Sequence, residues 1–308
     1  MSQTDELEQL YNERVRVDEG LQNEYRGLLK HVVDLIISKM KALSPVFEAL
    51  YRETYYGGSF FDGLKVNSTR QEFDLNIVFK RIPMEVTGLG EDPAKGNFCF
   101  LRVTKPTLSP EEEKIVDRSW WTWSTTTLSP SKMFDLLQRS MDRALTDLNN
   151  EMLYRGCRYR VTREVHAPVT LVIVALEGSK SCKIDFVPSF KLELENLVTG
   201  TRADFNNSKL HQQVSQLSDR FGVNYYPRNF MAIALHRADA QKFELDFHDV
   251  ERQILYNRGC VKKVVRLVKY LRDIKGGPMA KLWSHLLKVG WLHKGFNDNE
   301  ICSISRPL

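Results

Sequence analysis

The residues able to do chemistry come early in the chain. Tyr55 to Lys80 reads Y-Y-G-G-S-F-F-D-G-L-K-V-N-S-T-R-Q-E-F-D-L-N-I-V-F-K. Gly57 and Gly58 lack a Cβ, so the backbone there can approach a triphosphate closely, and Ser59 adds a hydroxyl to the amide donors. Glu72 and Asp74 then open an apolar run, Leu75 to Phe79, with the pattern of a buried strand. Residues i and i+2 of a strand share a face and sit ~6.5 Å apart, so both carboxylates converge while Phe73 turns into the core. Two carboxylates without a cation repel. Hard oxygen ligands suit Mg²⁺ or Mn²⁺, which bind through one or two carboxylates together with substrate phosphates. The order predicts a phosphate grip followed by a metal grip. A loop glycine pair beside a strand that starts with two surface acids accounts for the same letters.

A third acid lies far along the chain. Val169 to Leu176 reads as a strand, Glu177-Gly178-Ser179 as a turn, and Cys182-Lys183-Ile184-Asp185-Phe186-Val187 as the returning strand. Cys182, Ile184 and Phe186 share one face and Asp185 takes the other. An acid in the middle of an apolar strand is costly to bury alone, and a metal shared with Glu72 and Asp74 would supply its partner.

These strands need elements to position them. Apolar residues from Leu7 to Leu43 recur at helical spacing, which predicts one long amphipathic helix ended or kinked near Ser44-Pro45. Arg26, Lys30, Lys39 and Lys41 lie on its polar side. Asn97 to Val103 predicts a further strand, and Ser131 is expected to cap a helix running to about Met152. After Pro188 helical patterns dominate: Phe243 to Tyr256, Gly259 to Ile274 and Met279 to Val289. The expected division is 1–195, a helix and a mixed catalytic core, and 196–308, a helical lobe. In the helix from Gly259, Lys262, Arg266 and Lys269 fall within a narrow arc with Lys263 beside them, and Asp273 is the only acid from Arg258 to Lys281. That imbalance predicts a stripe for phosphates, as in nucleic acid.

Composition sets the class. The chain has 308 residues, 42% of them hydrophobic and 27% charged, with a net charge of +5, which fits a globular protein with a large core. The five cysteines are widely spaced without a C-x-x-C pair, which predicts a reducing compartment and neither a disulfide frame nor a zinc site. The acidic start and the absence of a long apolar run predict a cytoplasmic protein without a leader or membrane span.

Together the pieces resemble a family. A long helix, then G-G-S, E-F-D at the head of a strand and an aspartate in K-I-D-F are similar to the cyclic GMP-AMP synthase and cGAS-like receptor branch of the nucleotidyltransferases. L-K-V after the serine, F-x-L-x-F-x-x-V-E from Phe243 to Glu251 and V-x-L-V-K-Y-L ending at Leu271 add to the likeness, which covers nearly the whole chain. The resemblance implies an α+β, bilobal nucleotidyltransferase fold with a long N-terminal spine helix, a central mixed β-sheet and a C-terminal helical lobe. It makes Gly58 and Ser59 the triphosphate-binding pair, Glu72, Asp74 and Asp185 the metal-binding catalytic triad, and Lys269 and Ser284 nucleotide contacts. It implies Mg²⁺ or Mn²⁺ as cofactor, ATP and GTP as substrates, and a cyclic dinucleotide, cyclic GMP-AMP, made in antiviral innate immunity.

Departures from the family refine the expectation. Asn257-Arg258-Gly259 runs into Cys260 where the vertebrate DNA sensor carries a His-Cys-Cys-Cys zinc insertion, so no zinc is expected. The insect-type receptors share that feature, and they imply double-stranded RNA as ligand, read by Arg26, Lys30, Lys39, Lys41, Lys262, Lys263 and Arg266, with a ligand-induced homodimer left open. Glu244 and Asp246 stand where the synthase has Arg and Ser in W-R-L-S-F, which leaves base selection open. A linear transferase resembling oligoadenylate synthase, and a non-catalytic nucleotide-binding member, remain as alternatives.

Overall fold

The computed structural model describes residues 3–67, 71–80, 84–87, 98–103, 109–110, 121–122, 127–164, 170–176, 181–193, 229–234, 242–246, 248, 252, 255–256 and 259–275. The chain opens with helix α1 (Gln3–Leu10), a π-helical turn (Tyr11–Val15) and helix α2 (Glu19–Leu43). The single helix expected over Leu7 to Leu43 is therefore interrupted. Arg16 takes an extended conformation, and Asp18 accepts a hydrogen bond from the Leu21 amide at 2.9 Å, capping α2. A short carboxylate at that point satisfies an orphan amide and so favours a new start over continuation. The apolar periodicity runs across the break because Tyr11 and Val15 are buried as well.

α2 stops where its sequence predicts. The Ser44 amide donates to the Met40 carbonyl at 3.0 Å, and Ser44 Oγ accepts from the Phe47 amide at 3.3 Å to open α3 (Pro45–Leu50). Proline at the first helical position has no amide to leave unsatisfied. The apolar stripe of α2, including Leu29, Val32, Ile36 and Met40, lies in the main core.

Next come β1 (Tyr51–Gly57), α4 (Gly58–Phe61), β2 (Gln71–Phe79), β3 (Met84–Thr87), β4 (Phe98–Val103), β5 (Trp121–Thr122) and β6 (Thr127–Leu128). They are followed by α5 (Pro130–Asp147), β7 (Glu151–Tyr154), β8 (Cys157–Arg163), β9 (Thr170–Leu176), β10 (Ser181–Glu193), β11 (Asn229–Ala234), β12 (Phe243–Asp246) and α6 (Gly259–Lys275). The fold is α+β, and its described strands form one mixed sheet in which β10 is the hub. It pairs parallel with β2 and antiparallel with β9 and β11. Phe73, Leu75, Ile77 and Phe79 of β2 and Ile184, Phe186 and Phe190 of β10 share the core with α2, α3 and α5.

Several expectations change. α5 ends at Asp147 instead of about Met152, because Asn149 and Asn150 take positive φ (53° and 55°) and turn the chain into β7; its N-cap is Ser129, not Ser131. Asparagine tolerates that conformation better than most residues. Phe243 to Asp246, read as the start of a helix, is a strand: Phe243 and Leu245 are buried while Glu244 and Asp246 alternate outward, a period of two. β11 and β12 join the sheet through β10, so the boundary drawn at 195/196 separates strands that are hydrogen-bonded neighbours. Lastly, Cys260 is disulfide-bonded, where the cysteine spacing predicted a reducing compartment without a disulfide frame, while Cys99, Cys157 and Cys182 are free. The helix expected over Met279 to Val289, and Ser284 within it, lie outside the described residues. No helix among the described residues is long and apolar enough to cross a membrane.

Candidate active site

β2 and β10 run parallel in a register that sets Asp185 opposite Asp74 and Lys183 opposite Glu72. Neighbouring strands lie ~4.8 Å apart, so residues 72, 74 and 185 project from one small area of the sheet face turned away from Phe73 and Ile184. The structure thus brings together three acids, the third more than a hundred positions beyond the first two in sequence.

Their electrostatics are those of anions crowded together. Burial, then Asp74 and Glu72, push the Asp185 carboxyl up to about 7. Burial also raises the Asp74 carboxyl, with Glu72 adding repulsion and Lys65, His248 and Lys269 opposing it. Asp185 Oδ1 is buried without a hydrogen-bond partner. Among the described residues no three His, Cys, Asp or Glu side chains are gathered closely enough to form a ready metal cage. The donors nonetheless fit Mg²⁺ or Mn²⁺: all are carboxylates, one buried oxygen is unsatisfied, and a divalent cation would offset their mutual repulsion.

The glycine turn sits directly on this cluster. Gly57, the last residue of β1, is the register partner of Asp74. Gly58 takes φ +77°, and a Cβ built on it would lie 2.1 Å from Asp74 Oδ2 and 2.9 Å from Asp74 Cγ. Glycine is required there twice over, by conformation and by space. Gly58 and Ser59 then enter α4, and the Ser59 carbonyl accepts from the Leu64 amide at 2.7 Å.

Two lysines approach the acids from the loop after α4 and from α6. Lys269 is buried, donates Nζ to the Leu64 carbonyl at 3.2 Å, and is pushed down to about 8 by burial, with Lys65 and Arg272 adding repulsion. Burial also lowers Lys65, against the attraction of Glu72, Asp74 and Asp273. Sequence reasoning missed Lys65 as a site residue; its signal is a cation lying between the G-S pair and E-F-D.

The basic arc of α6 faces inward. Arg266 Nε donates to the Gly63 carbonyl at 2.9 Å and Nη1 to the Tyr11 hydroxyl, while Lys262 Nζ lies 3.5 Å from a Cβ built on Gly63. Lys263 pairs with Glu8 at 2.8 Å and lies over the Tyr11 ring. The expected stripe without neighbouring acids is thus corrected. α1 supplies an acid that is remote in sequence, and most of the arc clamps the Gly63–Leu64 loop and the π-helical turn. On α2, Lys30 pairs with Asp34, Lys39 with Asp147, Lys41 lies over Tyr51 and Arg26 over Phe60. Arg26 and Lys30 are exposed; Lys39 and Lys41 are half-buried.

His248 is a second residue that sequence reasoning missed. It stacks on Tyr55 with ring centroids 5.8 Å apart, its Nδ1 lies 3.1 Å from Asp246 Oδ1, and its Nε2 is 3.5 Å from a Cβ built on Gly57. The only available signal was the D-x-H spacing of Asp246 and His248, within a stretch read as helical.

The model of the Mab-21 protein nucleotidyltransferase domain matches residues 60–257, more than half of the chain. A cyclic GMP-AMP synthase-like receptor of Tribolium castaneum is 25% identical over 279 residues, covering 87% of this chain and 66% of the relative. One of Aethina tumida is 23% identical over 261 residues, covering 80% of this chain and 59% of the relative. A cyclic GMP-AMP synthase-like protein of Drosophila melanogaster is 23% identical over 290 residues, covering 92% and 72%. The chain therefore spans 59% and 66% of the length of the two receptors.

Proposed function

The chain belongs to the Mab-21 nucleotidyltransferase family, and from that premise we propose that it is a double-stranded RNA-sensing enzyme joining ATP and GTP into cyclic GMP-AMP. The observation that carries the reading is the parallel register that sets Asp185 beside Asp74, with Gly58 packed on the same carboxylate. A triphosphate laid on the Gly58–Ser59 turn has its phosphates next to three acids, an arrangement that repels the substrate unless cations lie between.

Glu72, Asp74 and Asp185 would hold Mg²⁺ or Mn²⁺; when bound, the ions would favour ionisation of a ribose hydroxyl and stabilise the departing pyrophosphate. The chain supplies the rest. Gly58 leaves room for the phosphates, and Ser59 offers a hydroxyl. Lys65 and Lys269 place positive charge beside the acids, and on this reading Ser284 adds a further nucleotide contact. Fixing two nucleotides against one sheet face converts their encounter into an intramolecular step.

The choice of product is supported by the relatives named cyclic GMP-AMP synthase-like receptors. A nucleic-acid ligand is supported by the net charge of +5 and by exposed Arg26, Lys30 and Lys263, and the choice of RNA over DNA rests on the resemblance to the insect-type receptors without the zinc insertion. Duplex RNA is bound mainly through phosphates and 2′-hydroxyls, so scattered cations outside the catalytic face suffice.

Incubation with ATP, GTP, Mn²⁺ and either long duplex RNA or duplex DNA, followed by product identification, tests the reading. A phosphatase-resistant cyclic dinucleotide formed with RNA is expected. A phosphatase-sensitive linear product, or equal stimulation by DNA, would overturn it.

A further inference from the structure

Glu72 and Asp74 are not the last polar residues on their side of β2. Asn76 follows at the next position of the same face, while Phe73, Leu75 and Ile77 turn the other way into the main core. Resting on the reading that the Gly58–Ser59 turn takes a nucleoside triphosphate, we infer that Asn76 is a specificity residue. Its carboxamide binds the ribose hydroxyls of that nucleotide and so selects ribonucleotides over deoxyribonucleotides.

The strand places Asn76 at the back of the site. The polar face of β2 is open at Glu72 and Asp74 and closes at Asn76, which is 5% exposed. Successive residues on one strand face lie ~6.5 Å apart, so Asn76 stands one step behind Asp74. Its register partners are Tyr55 on β1 and Val187 on β10. A carboxamide carries two N–H donors and an acceptor oxygen, and burying one in an apolar run costs free energy unless it is paired. Among the described residues none hydrogen-bonds this side chain. The group is therefore kept at a cost to the fold that a ligand would offset.

Gly57 leaves the space through which a ligand reaches it. Unlike Gly58, Gly57 has φ −112° and ψ −169°, extended backbone that any residue adopts. A Cβ built on it would meet the His248 ring at 3.5 Å, the Tyr55 ring at 3.6 Å and Asn76 Nδ2 at 3.8 Å, all ordinary contacts. Neither conformation nor crowding by these neighbours demands glycine there. Its missing side chain leaves a hollow walled by two rings and floored by the Asn76 amide, next to the turn on which the phosphates would rest.

The charges around the turn set which end of a nucleotide enters that hollow. Lys269 donates to the Leu64 carbonyl, and Lys65, the next residue, is attracted by Glu72 before Asp74. These cations lie past Ser59 on the Glu72 side and mark the triphosphate end. In the opposite direction, from Gly57 to Tyr55 and from Asp74 to Asn76, the face carries no charge. With the α-phosphate at the acids, the sugar bonded to it falls on the Asn76 side. A phosphate oxygen only accepts and would use the N–H half of the amide alone. A ribose hydroxyl both donates and accepts, so the neighbouring 2′ and 3′ hydroxyls engage both halves.

The experiment measures binding by calorimetry on the full chain with Mg²⁺. The probes are α,β-methylene ATP, which resists cleavage at the α-phosphorus, and its 2′-deoxy and 3′-deoxy forms. A site that hydrogen-bonds a substrate hydroxyl rejects the analogue lacking it, because its own polar group is left unpaired. The unmodified chain should bind the ribonucleotide about tenfold more tightly than at least one deoxy form. Asn76→Leu should weaken the ribonucleotide by about tenfold and leave that deoxy form nearly unchanged, so that the ratio falls to about one. Leucine has a similar size and no polar group to satisfy, so ligand-free Asn76→Leu should melt no lower than the unmodified chain. Asn76→Ala removes the amide without filling the hollow and should show the same loss of discrimination. Equal affinity of the unmodified chain for all three probes would overturn the assignment. So would equal weakening of all three in both variants, which would put the amide against phosphate or base. A lower melting temperature with discrimination intact would reduce Asn76 to packing. Discrimination present in the unmodified chain and lost in the variants, from a chain that forms no product with ATP, GTP, Mn²⁺ and duplex RNA, would count against the transferase reading while the sugar contact stands.

Discussion

Gly58 and Asp74 compete for one volume: a Cβ added to the glycine would stand 2.1 Å from Asp74 Oδ2, and its φ of +77° is one that other residues adopt at a cost. Gly58→Ala should therefore move the Asp74 carboxylate as well as strain the turn. A left-handed conformation costs an L-residue ~1–2 kcal/mol. The expected outcome is a modest fall in melting temperature with a much larger fall in turnover, measured by thermal melts beside single-turnover assays. A large fall in melting temperature with unchanged specific activity would show the turn to be structural only.

Asp185→Asn and Asp74→Asn should abolish synthesis while keeping the fold, because an amide does not balance cation charge in the transition state. Near-normal turnover in either folded variant would sink the metal assignment.

The metal-free protein should lose stability as pH rises from about 4 to about 7. Asp185 is pushed up to about 7 in the fold, so across that window the folded state holds a proton that the unfolded chain has released, and stability falls with rising pH. Asp185→Asn removes this group and should flatten the dependence, and Mn²⁺ should raise the melting temperature of the unmodified chain more than that of the variant. Chelator-treated protein melted between pH 5 and pH 8 provides the check. A melting temperature that climbs with pH through this window would contradict it.

Arg266 and Lys263, neighbours in one basic cluster, should behave differently. Arg266→Ala removes the bonds to the Gly63 carbonyl and the Tyr11 hydroxyl and should cost ~1–3 kcal/mol, with weaker triphosphate binding through the loosened loop. Lys263→Ala breaks one exposed pair with Glu8 and should cost less than ~1 kcal/mol. Denaturant titrations of the two variants decide; equal costs would show the clamp to be unimportant.

Arg26→Glu with Lys30→Glu should lower RNA-stimulated synthesis without changing nucleotide affinity. For every phosphate that a side chain no longer neutralises, the slope of log affinity against log salt should become shallower by about 0.9 on the B-DNA scale. An unchanged slope would place the RNA surface elsewhere.

The sequence by itself determined the local chemistry. A glycine pair ahead of E-x-D, an apolar run and an acid within K-I-D-F are legible because strand alternation fixes which side chains share a face. The end of α2 at Ser44 and the helix from Gly259 were equally readable from caps and periodicity. Only the tertiary structure decided what these pieces meet. The break at Asp18 was hidden because the chain buries apolar residues on both sides of it, and β12 was hidden because four residues carry too short a period to outweigh the helical pattern after them. Lys262, Lys263 and Arg266 formed a charge stripe in sequence, yet Glu8, Tyr11 and Gly63, which occupy them, are some two hundred residues away or more. Asp185 reached Asp74 through a parallel strand pair, and His248 reached Gly57 by way of a strand joined to the far side of the hub. Long-range pairing carries no mark in local spacing, because the register is set by the packing of a whole sheet face.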